Sequence, residues 1–319
     1  MKVGVIGTGN MGENHVRTYL SLQDQCQLVG IYDNDSSKAE KIAEKYQVKQ
    51  FPAIDDLLQS VDAVSIAVPT AFHYKIALSC IRHKVHMLIE KPITETIDQA
   101  MHLIQKAKEA EIKLQVGHIE LFNPLIKFLA KELEKEQPIG ISIHRMSPYD
   151  NRMKEIDVVN DLMIHDLYIL KEILKENMAE FYALGEPIDQ TTKHAAVIAK
   201  SSNGVIAQLT ASFKSPKKVR TIMVLTEDRF IEADILKQEI KITRSAPEAK
   251  NSIPGSEMET IPFDHSVQPL TVQLQDFIDC IKHDTEPAVS GEDGVEALKS
   301  TIDIQEAIYN PHKNICTLH

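Results

Sequence analysis

Three stretches of this chain carry residue types whose spacing could do chemistry. The first, VHMLIEKPITET at residues 85–96, runs from the apolar residues Val85–Ile89 into Glu90, Lys91 and Pro92. A strand that merely ends in solvent needs neither a charged pair nor a residue that cannot donate to a ladder. An ammonium fixed there can polarise a substrate oxygen or move a proton. Pro92 biases Lys91 toward an extended conformation, and Glu90 can pair with the lysine or set its direction. The second stretch is Asp161-Leu162-Met163-Ile164-His165. At i and i+4, the carboxylate and the imidazole share a helical face with Tyr168 and Glu172. Periodicity alone reads that face as solvated. Asp166 falls on the opposite, apolar side with Leu162, Met163, Leu167, Leu170, Ile173 and Leu174. A carboxylate there needs partners, so Asp166 is expected to be structural, at a domain junction.

The third stretch is Gly7-Thr8-Gly9-Asn10-Met11-Gly12, between a first strand and a first helix. In that context the spacing predicts a dinucleotide site: Gly7 for the tight turn, Gly9 for close approach of backbone to a pyrophosphate, and Gly12 for helix–strand packing. The helix N-terminus, with Asn10 and Met11 in its first turn, offers unpaired N–H groups to the anion. Asp33 lies 21 residues beyond Gly12, placed to accept hydrogen bonds from the adenosine ribose hydroxyls. It would repel a 2′-phosphate, and no arginine follows in NDSSK, so NAD is expected over NADP, with Lys38 tempering the preference. Pro69, Thr70 and His73 follow the third strand and are expected along the cofactor, as is Glu90 at the end of the fourth. His73 either touches ribose or nicotinamide or belongs to the first turn of a helix.

These residues need a scaffold, and the pattern supplies one. Strands are expected at 2–6, 27–32, 63–68, 85–89 and 113–116. Helices are expected between them at about 11–20, 37–45 (capped by Ser36), 71–83 and 97–110 (capped by Thr96, with Gln99 completing a capping box). Near-continuous apolar strands alternating with helices indicate a doubly wound parallel sheet, an α/β Rossmann domain over residues 1–120. Residues 121–319 read as an α+β domain. Helices are expected at about 124–135 and 161–175, a strand at 139–145, an open, mainly antiparallel sheet over 181–244, a polar loop at 245–257, and terminal helices at 268–282 and 291–308. An open sheet face needs covering, so a homodimer or homotetramer is expected.

The totals set outer limits. A chain of 319 residues with 43% hydrophobic and 25% charged residues can bury two cores. With 35 basic against 46 acidic side chains, the net charge of -11 argues against nucleic-acid binding. Cys26, Cys80, Cys280 and Cys316 are scattered, so neither a metal nor a redox centre is expected. No signal segment and no apolar run of ~20 residues is visible, and a cytoplasmic protein with no membrane partner is the expectation.

The glycine fingerprint, the Glu90-Lys91-Pro92 tripeptide and the Asp161/His165 pair occur in the order in which they mark the Gfo/Idh/MocA oxidoreductases. The chain resembles that family over essentially its whole length. The resemblance implies a sugar dehydrogenase with a Rossmann domain, an open-faced sheet domain and the substrate between them. It implies that His165 is the general base, that Asp161 orients sugar and imidazole, and that Lys91 stabilises the alkoxide; which of Lys91 and His165 takes the proton stays open. VGHIELFNP (116–124) and residues 145–170 resemble the UDP-N-acetylglucosamine 3-dehydrogenase branch. That likeness implies a UDP-N-acetyl amino sugar oxidised at C3, with Glu120, Asn123, Arg152 and Tyr168 against the substrate. Leu121 departs from the arginine of that pattern, and Tyr168 from its acid. A free or phosphorylated sugar or an inositol is the alternative substrate. A non-catalytic NAD-binding regulator would have lost the lysine or the histidine, and a pterin- or bilin-type reductase would dispense with the Asp–His pair.

Overall fold

The computed structural model describes residues 1–176, 178–188, 191–245, 256–310 and 316–317. The chain divides into two compact units, Met1–Phe122 with Gln268–Lys299, and Asn123–Val267 with Ser300–His319.

The first unit runs β1 (Lys2–Ile6), α1 (Asn10–Ser21), β2 (Gln27–Tyr32), α2 (Ser36–Tyr46), α3 (Ile54–Leu58), β3 (Ala63–Ile66), α4 (His73–Arg82), β4 (His86–Glu90), α5 (Ile97–Glu109) and β5 (Leu114–Gly117). Its five strands are parallel in the order β2-β1-β3-β4-β5. Chain order therefore reverses beside β1, where ligands of doubly wound sheets sit beyond the carboxyl ends of the strands. Strands β3 and β5 are buried at every position because helices cover both faces.

The second unit runs α6 (Pro124–Leu133), β6 (Gly140–Met146), α7 (Ile164–Leu174), β7 (Met178–Ile188), β8 (Thr191–Ser201), β9 (Ile206–Ser212), β10 (Val219–Leu225), β11 (Arg229–Asp234), β12 (Glu239–Ser245) and β13 (Ser256–Pro262). Next in the chain come α8 (Pro269–His283), part of the first unit, and α9 (Gly291–Tyr309), whose residues up to Lys299 are counted with the first unit and from Ser300 with the second. Strand β14 (Cys316–Thr317) closes the sheet beside β7. The order is β13-β12-β11-β10-β6-β9-β8-β7-β14, antiparallel except for the β6–β9 pair. Alternate residues on one face, among them Ile141, Ile143, Val197 and Leu209, join α6 and α7 in one core. The other face exposes Tyr182, Leu184, Ile198, Ile206 and Leu225.

Four expectations are corrected. Asp35, not Ser36, caps α2: its Oδ1 accepts from Lys38 N at 3.3 Å. Thr96 caps α5, accepting from Gln99 N at 3.3 Å, but Gln99 Oε1 finds no partner among the described residues, so only half of the box forms. Residues 246–255 of the expected loop lie outside the described set, and Ser256–Pro262 is not loop but the edge strand β13. Its polar sequence hid it, because an exposed edge strand lacks a buried face to mark it. Compactness also puts Gln268–Lys299 with the first unit, where a single boundary near residue 120 was expected. The cause is packing: Leu270, Leu274, Phe277 and Ile278 of α8 share a core with Val3, Val16, Tyr19 and Ile31.

Phe277→Ala should therefore destabilise the first unit by about 3–5 kcal/mol. A denaturation midpoint for that unit equal to wild type would refute the packing of α8.

Candidate functional site

The glycine turn forms because side chains are excluded from it. Gly7 has φ +93°, and a Cβ on it would lie 2.5 Å from the Ala67 carbonyl oxygen. A Cβ on Gly12 would lie 1.9 Å from the Gly7 oxygen, so α1 can start this close to β1 only on a bare backbone. Gly9 differs: an added Cβ meets nothing within 4 Å. The protein's own packing leaves that space open, next to the first N–H groups of α1, which no side chain caps. Asn10 is exposed there and Met11 half-buried. An anionic linker fits this cradle.

Asp33 follows β2, half-buried, and its carboxylate is already oriented. Oδ2 accepts from Thr8 N at 2.7 Å and Thr8 Oγ1 at 2.8 Å, and Oδ1 accepts from Asp35 N at 2.9 Å. One lone pair of Oδ1 is left for a ribose hydroxyl. Thr8 is a residue the sequence reading passed over. The signal was a hydroxyl between the two turn glycines. Lys38, weighed as an offset to Asp33, pairs with Asp35 at 3.3 Å.

At the end of β4, Glu90 is buried and its Oε1 lies 2.9 Å from Nε2 of His15, itself fully buried in α1. The carboxylate only accepts, so His15 donates from Nε2. From the other side β5 presses in, since a Cβ on Gly117 would sit 2.9 Å from Glu90 Oε2. Glu90 was expected as the lysine's companion or as a cofactor contact, and here it is the bond between β4 and α1. His15 was missed, because nothing local distinguishes it from any other helix histidine. Lys91 comes next, half-buried, joined to Pro92 by a cis peptide.

His73 resolves against direct ligand contact. It is buried at the start of α4, with Nδ1 2.9 Å from Pro92 O and Nε2 2.9 Å from Val68 O. It ties the turn after β3 to the turn after β4. Burial pushes its pKa down, while the two carbonyls push it up. Burial wins, holding the pKa below the usual imidazole value, so the neutral ring is favoured and donates to one of the two carbonyls. Pro69 is exposed, and Thr70 opens a 3-10 turn, Thr70–Phe72, where α-helix was expected from residue 71. Glu120 is half-buried in the 3-10 turn Ile119–Phe122.

In the second unit Asp161 lies in a π-helical turn, Val159–Met163, and His165 in the first turn of α7. The single α-helix expected from 161 is corrected: residues Val159–Met163 wind as a π turn before α7 begins at Ile164. Both side chains are half-buried, whereas Tyr168 is buried. Asp166 finds the partner a buried carboxylate needs, within the second unit. It is fully buried, and Oδ1 accepts from Arg145 Nε of β6 at 2.6 Å. Asp157 steadies the approach to the π turn, accepting from Val159 N at 2.8 Å and Thr192 N at 3.1 Å. Buried Lys193 donates to the carbonyls of Met153, Lys154 and Ile156 at 2.6, 2.8 and 2.8 Å. Asn123, expected against substrate, is buried and caps α6, its Oδ1 accepting from Leu125 N at 3.1 Å. Arg152 falls in the 3-10 turn Asn151–Met153, and its side chain lies outside the described set.

Among the described residues there is no group of three or more metal-type ligands, and no helix is long and apolar enough to cross a membrane. Cys26, Cys80 and Cys280 are buried free thiols; the side chain of Cys316 is not described.

Residues 1–118 match the family model described as an oxidoreductase family with an NAD-binding Rossmann fold. UDP-N-acetylglucosamine 3-dehydrogenase of Acidithiobacillus ferrooxidans is 29% identical over 309 residues, covering 97% of both chains. Its solved structure, GnnA, superposes with a TM-score of 0.89 over 97% of each chain. Myo-inositol 2-dehydrogenase of Thermotoga maritima is 24% identical, over 93% of each chain. The fold is also that of GenD2 from gentamicin A biosynthesis, solved with NAD, at 17% identity and a TM-score of 0.85, covering 100% of this chain and 96% of that one.

Two substitutions separate cofactor from scaffold. Gly9→Val should leave the denaturation midpoint close to wild type yet weaken NAD roughly tenfold to a hundredfold, the cost of overfilling a close contact; unchanged NAD affinity would remove Gly9 from the cradle. Asp166→Leu, which strands a buried guanidinium, should cost about 3–5 kcal/mol, and a variant as stable as wild type by urea titration would show the pair to be incidental.

Proposed function

We propose that this chain is a Gfo/Idh/MocA-type oxidoreductase that oxidises a ring hydroxyl of a sugar, passing hydride to NAD, a reading supported by the family model over residues 1–118 and the end-to-end likeness to a sugar-nucleotide dehydrogenase. The observation that carries the reading is Lys91, half-buried at the carboxyl end of β4 in the sheet whose β1 ends in the glycine turn. When bound, NAD supplies the hydride acceptor. Gly7, Gly9, Asn10, Met11 and Gly12 form its diphosphate cradle, Asp33 takes the adenosine ribose, and the turn with Pro69 and Thr70 borders it. Glu90 and His73 act from behind, setting the two turns between which Lys91 emerges.

Lys91 offers its ammonium to the substrate oxygen as negative charge develops there. His165 takes the hydroxyl proton, and Asp161 orients the imidazole and the sugar. Glu120, Arg152 and Tyr168 contribute to the substrate site, Tyr168 from a buried position. NAD is preferred to NADP: Asp33 is pre-oriented by Thr8, and the nearby Lys38 is engaged by Asp35 rather than open to a 2′-phosphate. The substrate is a UDP-linked N-acetyl amino sugar oxidised at C3, a reading supported by the end-to-end likeness to a dehydrogenase of that name. The inositol dehydrogenase likeness keeps an inositol or free sugar as the second reading. The exposed row Tyr182, Leu184, Ile198 and Ile206 gives the second-unit sheet the face for a homodimer or homotetramer.

A screen of UDP-sugars, free sugars and inositols with NAD, followed at the nicotinamide absorbance, tests the substrate. Lys91→Met should lower turnover by roughly 10²–10⁴ with NAD affinity nearly intact; wild-type turnover would end the lysine's role. Asp33→Ala should weaken NAD far more than NADP, and tighter NADP binding by the wild type would overturn the ribose argument. Light scattering should find two or four copies together, and a monomer at working concentration would sink the sheet-face proposal.

A further inference from the structure

The sheet order β10-β6-β9 obliges the chain leaving β9 to pass over the end of β6 before it enters β10. That connection carries Lys214, Lys217 and Lys218 within five residues, in a chain of net charge -11. Beneath it the chain leaves β6 through Ser147 and Tyr149. Lys214 Nζ lies 4.0 Å from the centre of the Tyr149 ring, which is 37% exposed. The two segments are tied at their roots. Ser147 N donates to Ser212 O at 2.8 Å. Arg220 donates to Met146 O at 2.6 Å and to Ser147 Oγ at 3.1 Å. Within the connection Ser215 Oγ donates to Lys217 O at 2.7 Å, which shapes the turn that presents Lys217 and Lys218 to solvent. Among the described residues no carboxylate forms an ion pair with any of the three lysines.

The location matters as much as the charge. Arg145, one residue before the end of β6, holds Asp166, the neighbour of His165. The π turn bearing Asp161 packs on β6 and β9. The lysines, Tyr149 and the Asp161–His165 helix thus gather at one end of the second-unit sheet.

We propose that Lys214, Lys217 and Lys218 form a subsite for the diphosphate of a nucleoside-diphosphate-linked sugar, with the Tyr149 ring offered to the base. This rests on the sugar dehydrogenase reading and specifies its substrate class. Lysine ammonium groups are mobile point charges suited to phosphoryl oxygens, and three of them along a turn match two phosphoryl groups better than one. An aromatic face accepts any base by stacking. Exposed charges are screened, so the contribution falls with salt.

The test is calorimetric titration of the NAD-saturated full chain with UDP, pyrophosphate and UMP at low and high salt. Wild type should bind UDP more tightly than UMP. The K214Q/K217Q/K218Q variant, checked for an unchanged melting temperature and backed by the single variant K217Q, should lose roughly tenfold to a hundredfold in UDP affinity and most of the salt dependence. Tyr149→Ala should weaken UDP but not pyrophosphate. UDP affinity equal in wild type and lysine variants overturns the subsite, as does UDP binding no tighter than UMP. Lysine-dependent UDP binding without oxidation of any UDP-sugar leaves the subsite standing and removes the UDP-sugar dehydrogenase reading. Oxidation of a UDP-sugar at a KM indifferent to the lysines does the reverse.

Discussion

A carboxylate drawn out of water needs a donor, and in the nucleotide-binding unit Glu90 finds one in the buried imidazole of His15, 2.9 Å away. Much of the local geometry follows from that contact. It fastens the end of β4 to α1, the helix whose open N-terminus faces the glycine turn, and it is confined from the other side by the bare backbone of Gly117. With Glu90 turned inward, the next residue along the edge is Lys91. His73 completes the frame by bridging the carbonyls of Val68 and Pro92, which ties the turns after β3 and β4 to one another. A single buried acid thereby couples cofactor cradle and candidate catalytic amine. Its removal would cost placement before it cost chemistry.

The second unit solves a similar problem with internal cations. The Arg145 guanidinium sits on Asp166 beneath α7, and the Lys193 ammonium gathers three backbone carbonyls of the segment entering the π turn. Both groups are buried, where an unpaired charge is costly and a paired one is restrictive. The restriction is the useful part: carbonyls that would otherwise face water are aimed at one ammonium, and the loop between β6 and α7 acquires one shape. The π turn itself places Asp161 by a wider spiral than an α-helix would.

Which residues were legible beforehand follows from how local their signals are. Gly7, Gly9, Gly12 and Asp33 could be read as a unit because turn, close approach and spacing are properties of consecutive residues. The strands of both sheets were legible from apolar runs, apart from β13, whose exposed edge has no hydrophobic pattern to read, and the two-residue β14. His73 could be narrowed only to two roles, ligand contact or helix start, because the carbonyls it bridges come from two other turns. Asn123 looked like a pocket residue, yet the proline after it makes it a helix cap.

The amino-acid order by itself determined the element types, the nucleotide-binding turn, the acid at the end of β2 and the Glu-Lys-Pro edge, since each depends on neighbours a few bonds away. Only the tertiary structure decided that Glu90 answers to His15, that Thr8 orients Asp33, that Arg145 holds Asp166, and that α8 completes the first core. Those partners lie 75, 25, 21 and more residues apart along the chain. Hydrogen bonding and burial act through space, and a linear pattern carries no record of which buried donor will meet which acceptor.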